Sequence, residues 1–338
     1  MGLSVSLSVA ALALGACSSS GSGGGGGGSA TGGSGNVGNF GGTSGSGGAS
    51  GSGGVGAAAG ASGSGGSGAA AGASGGGGTA GSGGGGTADH VLISEVGIEP
   101  GGAEFVEIYN PTSAAVDLSN YYLADNSNYY KMTSGPWNPI TSNPGTDWLV
   151  QFPSGTQIAP GAVLTVAGEP APGSDGYEKL FSGCPSFTMN NTATPLACGG
   201  GTVPAMVNPA NGGAGDAKGG FISNSREMVV LFTWDGSAAT VKDVDYVTWG
   251  ATFEAGTRAD KTGQTGYVAD TDPNLQKSAD QGTPVSGTPW SIQRCQLEPG
   301  EKSAGGNGIT GHDETSEDMK ASFQAGTPSP GKKNSCLP

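Results

Sequence analysis

Residues 89–338 of this chain predict an all-β fold, an antiparallel sandwich or barrel, on three observations. Short segments rich in β-branched and aromatic residues recur from residue 91 onward, each bounded by Gly, Pro or Asn. No comparable stretch carries the apolar period of a long helix. Turn signals separate successive segments without helical crossovers, and neighbours joined that way pair antiparallel. In order, the predicted strands are residues 91–96, 104–109, 116–124, 157–167, 228–233 and 241–249. Residues 316–324, where Met319 and Phe323 sit four apart, predict one or two helical turns. A segment of this length can bury a core of normal size as one domain.

The residues before Asp89 are a different polymer. Of the 70 Gly, 37 lie in residues 1–88, and none of the 13 Lys and Arg or 27 Asp and Glu precedes Asp89. Residues 18–88 hold 35 Gly among 71 positions, with Ser, Ala and Thr making up nearly all the rest. No core forms from such a composition, so this stretch predicts a disordered linker spanning roughly 45–50 Å. Irregular glycine spacing and the lack of Pro exclude collagen. The net charge of −14 therefore sits on the last segment, and it argues against nucleic acid, which needs clustered Lys and Arg.

An apolar run, residues 3–16, is too short to span a bilayer but suits the core of a signal peptide. It ends in Leu14-Gly15-Ala16-Cys17, which resembles the lipobox of bacterial lipoproteins. The resemblance implies a signal peptide at 1–16, cleavage after Ala16, and lipid on Cys17 that anchors the chain to a membrane. Ser18 in the following position, where Asp is absent, resembles outer-membrane sorting. Lipidation also accounts for an odd cysteine count: of five, Cys17 stands apart from Cys184, Cys198, Cys295 and Cys336. Four Cys allow three pairings, and the favoured one, Cys184–Cys198 with Cys295–Cys336, closes the two most local loops. Zinc is the competing use; no CxxC occurs and His is scarce.

The segments from residue 91 resemble the lamin-tail domain, an immunoglobulin-like β-sandwich. Val91-Leu92-Ile93-Ser94-Glu95-Val96, then Glu104-Phe105-Val106-Glu107-Ile108-Tyr109-Asn110-Pro111-Thr112, then Val116-Asp117-Leu118-Ser119-Asn120-Tyr121-Tyr122-Leu123 carry the resemblance. Ile158-Ala159-Pro160-Gly161, Val244-Asp245, Ser291-Ile292-Gln293-Arg294 and the stretch from Thr327 to Asn334 continue it. The resemblance implies a sandwich over 89–338, interrupted by long polar insertions near 126–150, 169–220 and 251–288. It also makes Glu95 and Glu107 fold residues accepting hydrogen bonds, with Arg294 a candidate donor.

Little catalytic chemistry is legible. Glu95, Glu104 and Glu107 cluster near the first hairpin with no nucleophile motif beside them. His312, in Gly311-His312-Asp313-Glu314, reads as part of a solvated acidic loop, and His90 as a surface residue at the domain edge. Asp270, Asp272 and Asn274 have the first, third and fifth spacing of a calcium loop, but Leu275 and Gln281 stand at positions six and twelve. That leaves room for a Ca²⁺ site of another geometry. Tyr129, Tyr130, Trp137 and Trp148, gathered in the first insertion, are candidates for an exposed ligand-binding patch or, alternatively, a local mini-core. Together these features predict a non-enzymatic lipoprotein of the bacterial cell envelope, presenting its sandwich to an envelope protein or polysaccharide. The rival is an extracellular hydrolase whose active site is built from the insertions.

Overall fold

The structure, a computed structural model, describes residues 88–137, 147–168, 176–189, 196–209, 213–214, 221–250 and 256–338. The expected signal peptide, Cys17 and nearly all of the Gly-rich linker lie outside them. The principal strands in chain order are β1 (Leu92–Glu99), β2 (Phe105–Tyr109), β3 (Tyr121–Ala124), β4 (Trp148–Gln151), β5 (Val163–Ala167), β6 (Glu227–Thr233), β7 (Lys242–Trp249), β8 (Trp290–Arg294) and β9 (Phe323–Gly326). One sheet runs β9-β8-β1-β2-β5, and Phe187–Thr188 adds to β5 in parallel. The other runs β4-β3-β6-β7, with Gly213–Ala214 at the free edge of β4. The principal strands pair antiparallel throughout. Ile93, Val96, Val106 and Ile108 from the first sheet and Leu123, Leu149, Leu231 and Val247 from the second share one apolar core. The fold is thus an all-β, immunoglobulin-like sandwich.

A bulge in β1 explains why its sequence does not alternate cleanly. Ile93 pairs with Ile108 and Glu95 with Glu107, leaving Ser94 as an extra residue. The phase of the strand shifts there: Val91 and Ile93 face the core before the bulge, Val96 and Ile98 after it. Glu95 is thereby set beside Glu107, and the Ser94 hydroxyl donates to Glu107 Oε1 at 2.8 Å.

Two predicted strands are each broken by a turn. In residues 116–124, Asp117 accepts the Ser119 N–H at 2.9 Å, an Asx turn that separates Val116–Asp117 from β3. In residues 157–167, Pro160 and Gly161, whose φ is 71°, turn the chain between Gln157–Ile158 and β5. The expected helix shrinks to Met319–Ser322, because Phe323 pairs with Arg294 and enters β9. The stretch 126–150 is not a peripheral insertion. It contributes the 3₁₀ helix Tyr129–Ser134 and β4, a strand with no helix-like or strictly alternating signal of its own but placed inside the second sheet.

Candidate functional site

Both expected disulfides are present. Cys184 bonds Cys198 with Cα atoms 5.7 Å apart, and Cys295 bonds Cys336 at 4.8 Å. The second bond, across a separation of 41 residues, pins the C-terminal segment to the end of β8. By restricting the unfolded chain it contributes about 4 kcal/mol.

The aromatic residues of 126–150 do not form an exposed patch. Tyr129 and Trp148 are fully buried and Tyr130 is nearly so, while Trp137 is half-buried against the same core. Tyr129 is held by polar contacts as well: its hydroxyl donates to Asp243 at 2.6 Å and accepts from Lys261 at 2.7 Å. An aromatic ring of this size gains more by burial than by exposure when a sheet face is available to cover it.

Nor does the proposed calcium loop converge. The Asp270 carboxylate is paired with buried Lys261 at 3.0 Å and accepts from Asn307 at 2.8 Å. Asp272 points elsewhere, accepting the backbone and side-chain N–H groups of Asn274 in an exposed turn. An ammonium group already occupies the position where Asp270 would offer an oxygen to a cation.

The strand carboxylates are structural. Glu95 accepts from Ser291, Gln293 and Ser329. Glu107 accepts from Ser94 and the Gly331 N–H. Glu104 accepts the N–H groups of Phe221 and Ile222. Arg294 serves neither Glu95 nor Glu107; it pairs with Asp245 at 2.8 Å and Glu317 at 2.6 Å. Burial pushes the Glu104 carboxyl up to about 8 against the pull of its two backbone donors. The folded state therefore holds this proton more tightly than the unfolded chain, whose carboxyl titrates near 4.5. Its contribution is complete below pH ~4.5 and is lost as pH rises through ~8, and Glu107 carries the same sign. Melting temperature should fall between pH 5 and pH 8, and fall less in Glu104→Gln, whose amide oxygen can still accept both bonds. An equal fall in the variant would contradict this assignment.

The chain's two histidines meet, contrary to their expected places on the surface. His90 precedes β1 and is 3% exposed, and the ring of half-buried His312 lies edge-on to it at 6.1 Å. Three glutamates join them. Glu298 and Glu301 sit in the turn that follows β8, and Glu314 opens the single-turn Glu314–Ser316 helix. This turn folds back on itself through the bridge between Lys302 and Asp313, which brings Glu301 within 3.3 Å of His312 Nδ1. His90 Nε2 and Glu298 Oε1 approach to 2.7 Å but out of line for a hydrogen bond. Among the described residues, His90 Nε2, Glu298 Oε1, Glu301 Oε1, His312 Nδ1 and Glu314 Oε1 are all buried without a hydrogen-bond partner.

Close backbone packing creates this arrangement. A Cβ on Gly306 would stand 2.0 Å from the His312 carbonyl, and one on Gly308 would stand 2.7 Å from Glu314 Oε1. Glu298 has φ 42°, a left-handed conformation that costs a side-chain-bearing residue ~1–2 kcal/mol. Burial and repulsion from Glu298 and Glu317 push Glu301 up to about 8, and burial with Glu301 and Asp245 nearby pushes Glu314 well above the usual carboxylate range. Burial opposes the His90 imidazolium, but Glu298, Asp89 and Asp245 outweigh it and hold the ring at about 9. The signal available in the sequence was weak: two lone histidines 222 positions apart, and a Glu-x-x-Glu spacing at 298–301.

No curated protein matches this chain. Among solved structures it is similar to a DUF4876 family protein from Bacteroides thetaiotaomicron, at 14% identity and a TM-score of 0.36, over 73% of this chain and 75% of that one. A family model, Lamin Tail Domain, matches residues 86–251. The match takes in β1 to β7, whereas β8, β9 and the turn bearing Glu298, Glu301, His312 and Glu314 lie beyond it. With the bulged β1–β2 hairpin and the two-sheet sandwich already in place, residues 86–251 are a lamin tail domain, and the chain belongs among the proteins that carry one.

Proposed function

We propose that this chain is an exported bacterial lipoprotein, anchored in the outer membrane through Cys17, whose lamin-tail sandwich is a non-catalytic binding or supporting module of the cell envelope. The cysteine pairing is the observation that carries it. Two disulfides consume Cys184, Cys198, Cys295 and Cys336, and disulfides of this kind belong to oxidising compartments. Cys17 is the thiol left over, and it closes an apolar run in a lipobox-like sequence.

A polysaccharide or protein of the envelope is the expected partner. An open cleft of about 350 Å³ lies at one end of the second sheet, where half-buried Tyr121 and Trp234 are set among Asp117, Asn120 and Asp235. Aromatic faces beside carboxylates and an amide suit stacking and hydrogen bonding to a sugar ring. The strand glutamates are already engaged by backbone and hydroxyl donors, which supports a supporting role for them over catalysis.

Cys17→Ser should move the protein from the membrane to the soluble fraction, and continued membrane fractionation of that variant would overturn the anchor. Turnover of a phosphoester, glycan or peptide substrate by the purified chain would favour the rival hydrolase.

A further inference from the structure

We propose that His90, Glu298, Glu301, His312 and Glu314 form a binding site for one divalent transition-metal ion of the zinc class. Three features of the geometry carry this. The first is convergence without pairing. His90, Glu298 and His312 each offer a ligand atom within 4.8 Å of the other two, and so do Glu301, His312 and Glu314, so that His312 joins the two groups. The 2.7 Å and 3.3 Å separations of His90 from Glu298 and of His312 from Glu301 are near the spacing of neighbouring ligands when metal bonds are ~2.0–2.2 Å long. Yet none of the five atoms points at another as a hydrogen bond requires, and all are shut away from water. Buried polar atoms in that number ordinarily have partners.

The second feature is the tautomer of His90. Its Nδ1 lies 2.9 Å from Asp89 Oδ1, and an ionised carboxylate can only accept, so Nδ1 keeps its proton and an arriving cation displaces the one on Nε2. Nε2 then presents its lone pair to the cluster. A carboxylate behind a histidine is the arrangement that orients imidazole ligands on metals. The His90 side chain is 1% exposed, so this lone pair is not spent on solvent.

The third feature is charge. Beneath the cluster, Arg294 already neutralises Asp245 and Glu317. Among the described residues, Glu298, Glu301 and Glu314 face one another with only His90 and His312, and no Lys or Arg, paired to them, and a divalent cation that displaces the His90 proton compensates them more fully. Two imidazole nitrogens favour zinc-class ions over Ca²⁺ or Mg²⁺, which take oxygen ligands alone. His312, with its side chain 20% exposed, lies on the side from which an ion can enter.

The test uses the full chain without a histidine tag, stripped with chelator and dialysed, then titrated with Zn²⁺, Mn²⁺ or Ca²⁺ in a calorimeter. The expected result is one equivalent of Zn²⁺ or Mn²⁺ bound, with a raised melting temperature and, for Zn²⁺, an X-ray absorption spectrum showing two imidazoles. His312→Ala should weaken binding ~100-fold, and Asp89→Asn, which leaves all five ligand residues in place, ~10–100-fold. His312 is the least buried member, so its variant should retain the metal-free melting temperature, and Glu301→Gln serves as a second ligand variant. Absence of a one-equivalent site in the folded chain, binding of Ca²⁺ alone, or Zn²⁺ binding untouched by both His312→Ala and Glu301→Gln would overturn the proposal.

Discussion

Arg294→Ala should destabilise the sandwich by about 3–5 kcal/mol, a large part of the ~5–15 kcal/mol that holds a domain folded. The guanidinium is fully buried at the end of β8. Its Nη2 donates to both Asp245 oxygens at 2.8 and 2.9 Å, Nη1 donates to Glu317 at 2.6 Å, and Nε donates to the Ile93 carbonyl at 2.9 Å. Phe323 stacks beneath it at 4.5 Å. Forming the pair costs desolvation that the attraction roughly offsets, so its net worth against an apolar core is small. Removing only the cation is different, because Asp245 and Glu317 are left buried beside each other without their counter-charge, with Glu298 also acting on Asp245. Denaturant unfolding of Arg294→Ala measures the loss. A triple variant, Arg294→Met with Asp245→Asn and Glu317→Gln, should recover much of it, since it removes the uncompensated charge together with its partner. A loss under ~1 kcal/mol in the single variant would mean that water reaches the pair.

The same arginine shows what a sequence can and cannot place. The resemblance suggested Glu95 or Glu107 as its partner, residues of the same sheet as Arg294 but on the opposite face. Glu95 stands opposite Gln293, so Ser291 and Gln293 point to its side, and Arg294, one residue on, points to the other, towards Asp245 of β7. A pleat reverses with every residue, and the bulge at Ser94 shifts that phase once more, so partner identity depends on a register that spacing alone does not give. The β1–β2 hairpin was legible because its apolar residues are local and dense. The His90–His312 meeting was not, because it depends on a turn folded back through Gly306 and Gly308, whose need to be glycine is visible only once the His312 carbonyl is seen beside them. Cysteine pairing was recoverable because only three arrangements existed and the local one was also the favoured one.

Trp148 was the costliest misplacement, and it gives the second large effect: Trp148→Ala should destabilise by about 3–5 kcal/mol, whereas Trp137→Ala should cost much less. In sequence the two look alike, aromatic residues in a polar, Pro-rich stretch. In the structure Trp148 begins β4, in the interior of the second sheet, with none of its surface exposed. Its ring packs on Phe221 at 5.6 Å and its Nε1–H donates to the Phe221 carbonyl at 2.9 Å. Its backbone N–H donates to the buried Asp125 carboxylate at 2.7 Å. Truncation to Ala would leave both a cavity and the unpaired carbonyl of Phe221, two costs that add. The backbone bond to Asp125 survives, so β4 should stay paired with β3 and the variant should remain folded but melt earlier. Trp137 is half-buried at the margin of the core, so water can refill much of what its removal opens. Thermal unfolding of the two variants side by side checks the ranking, and equal melting temperatures would show that the 126–150 stretch is a surface loop after all.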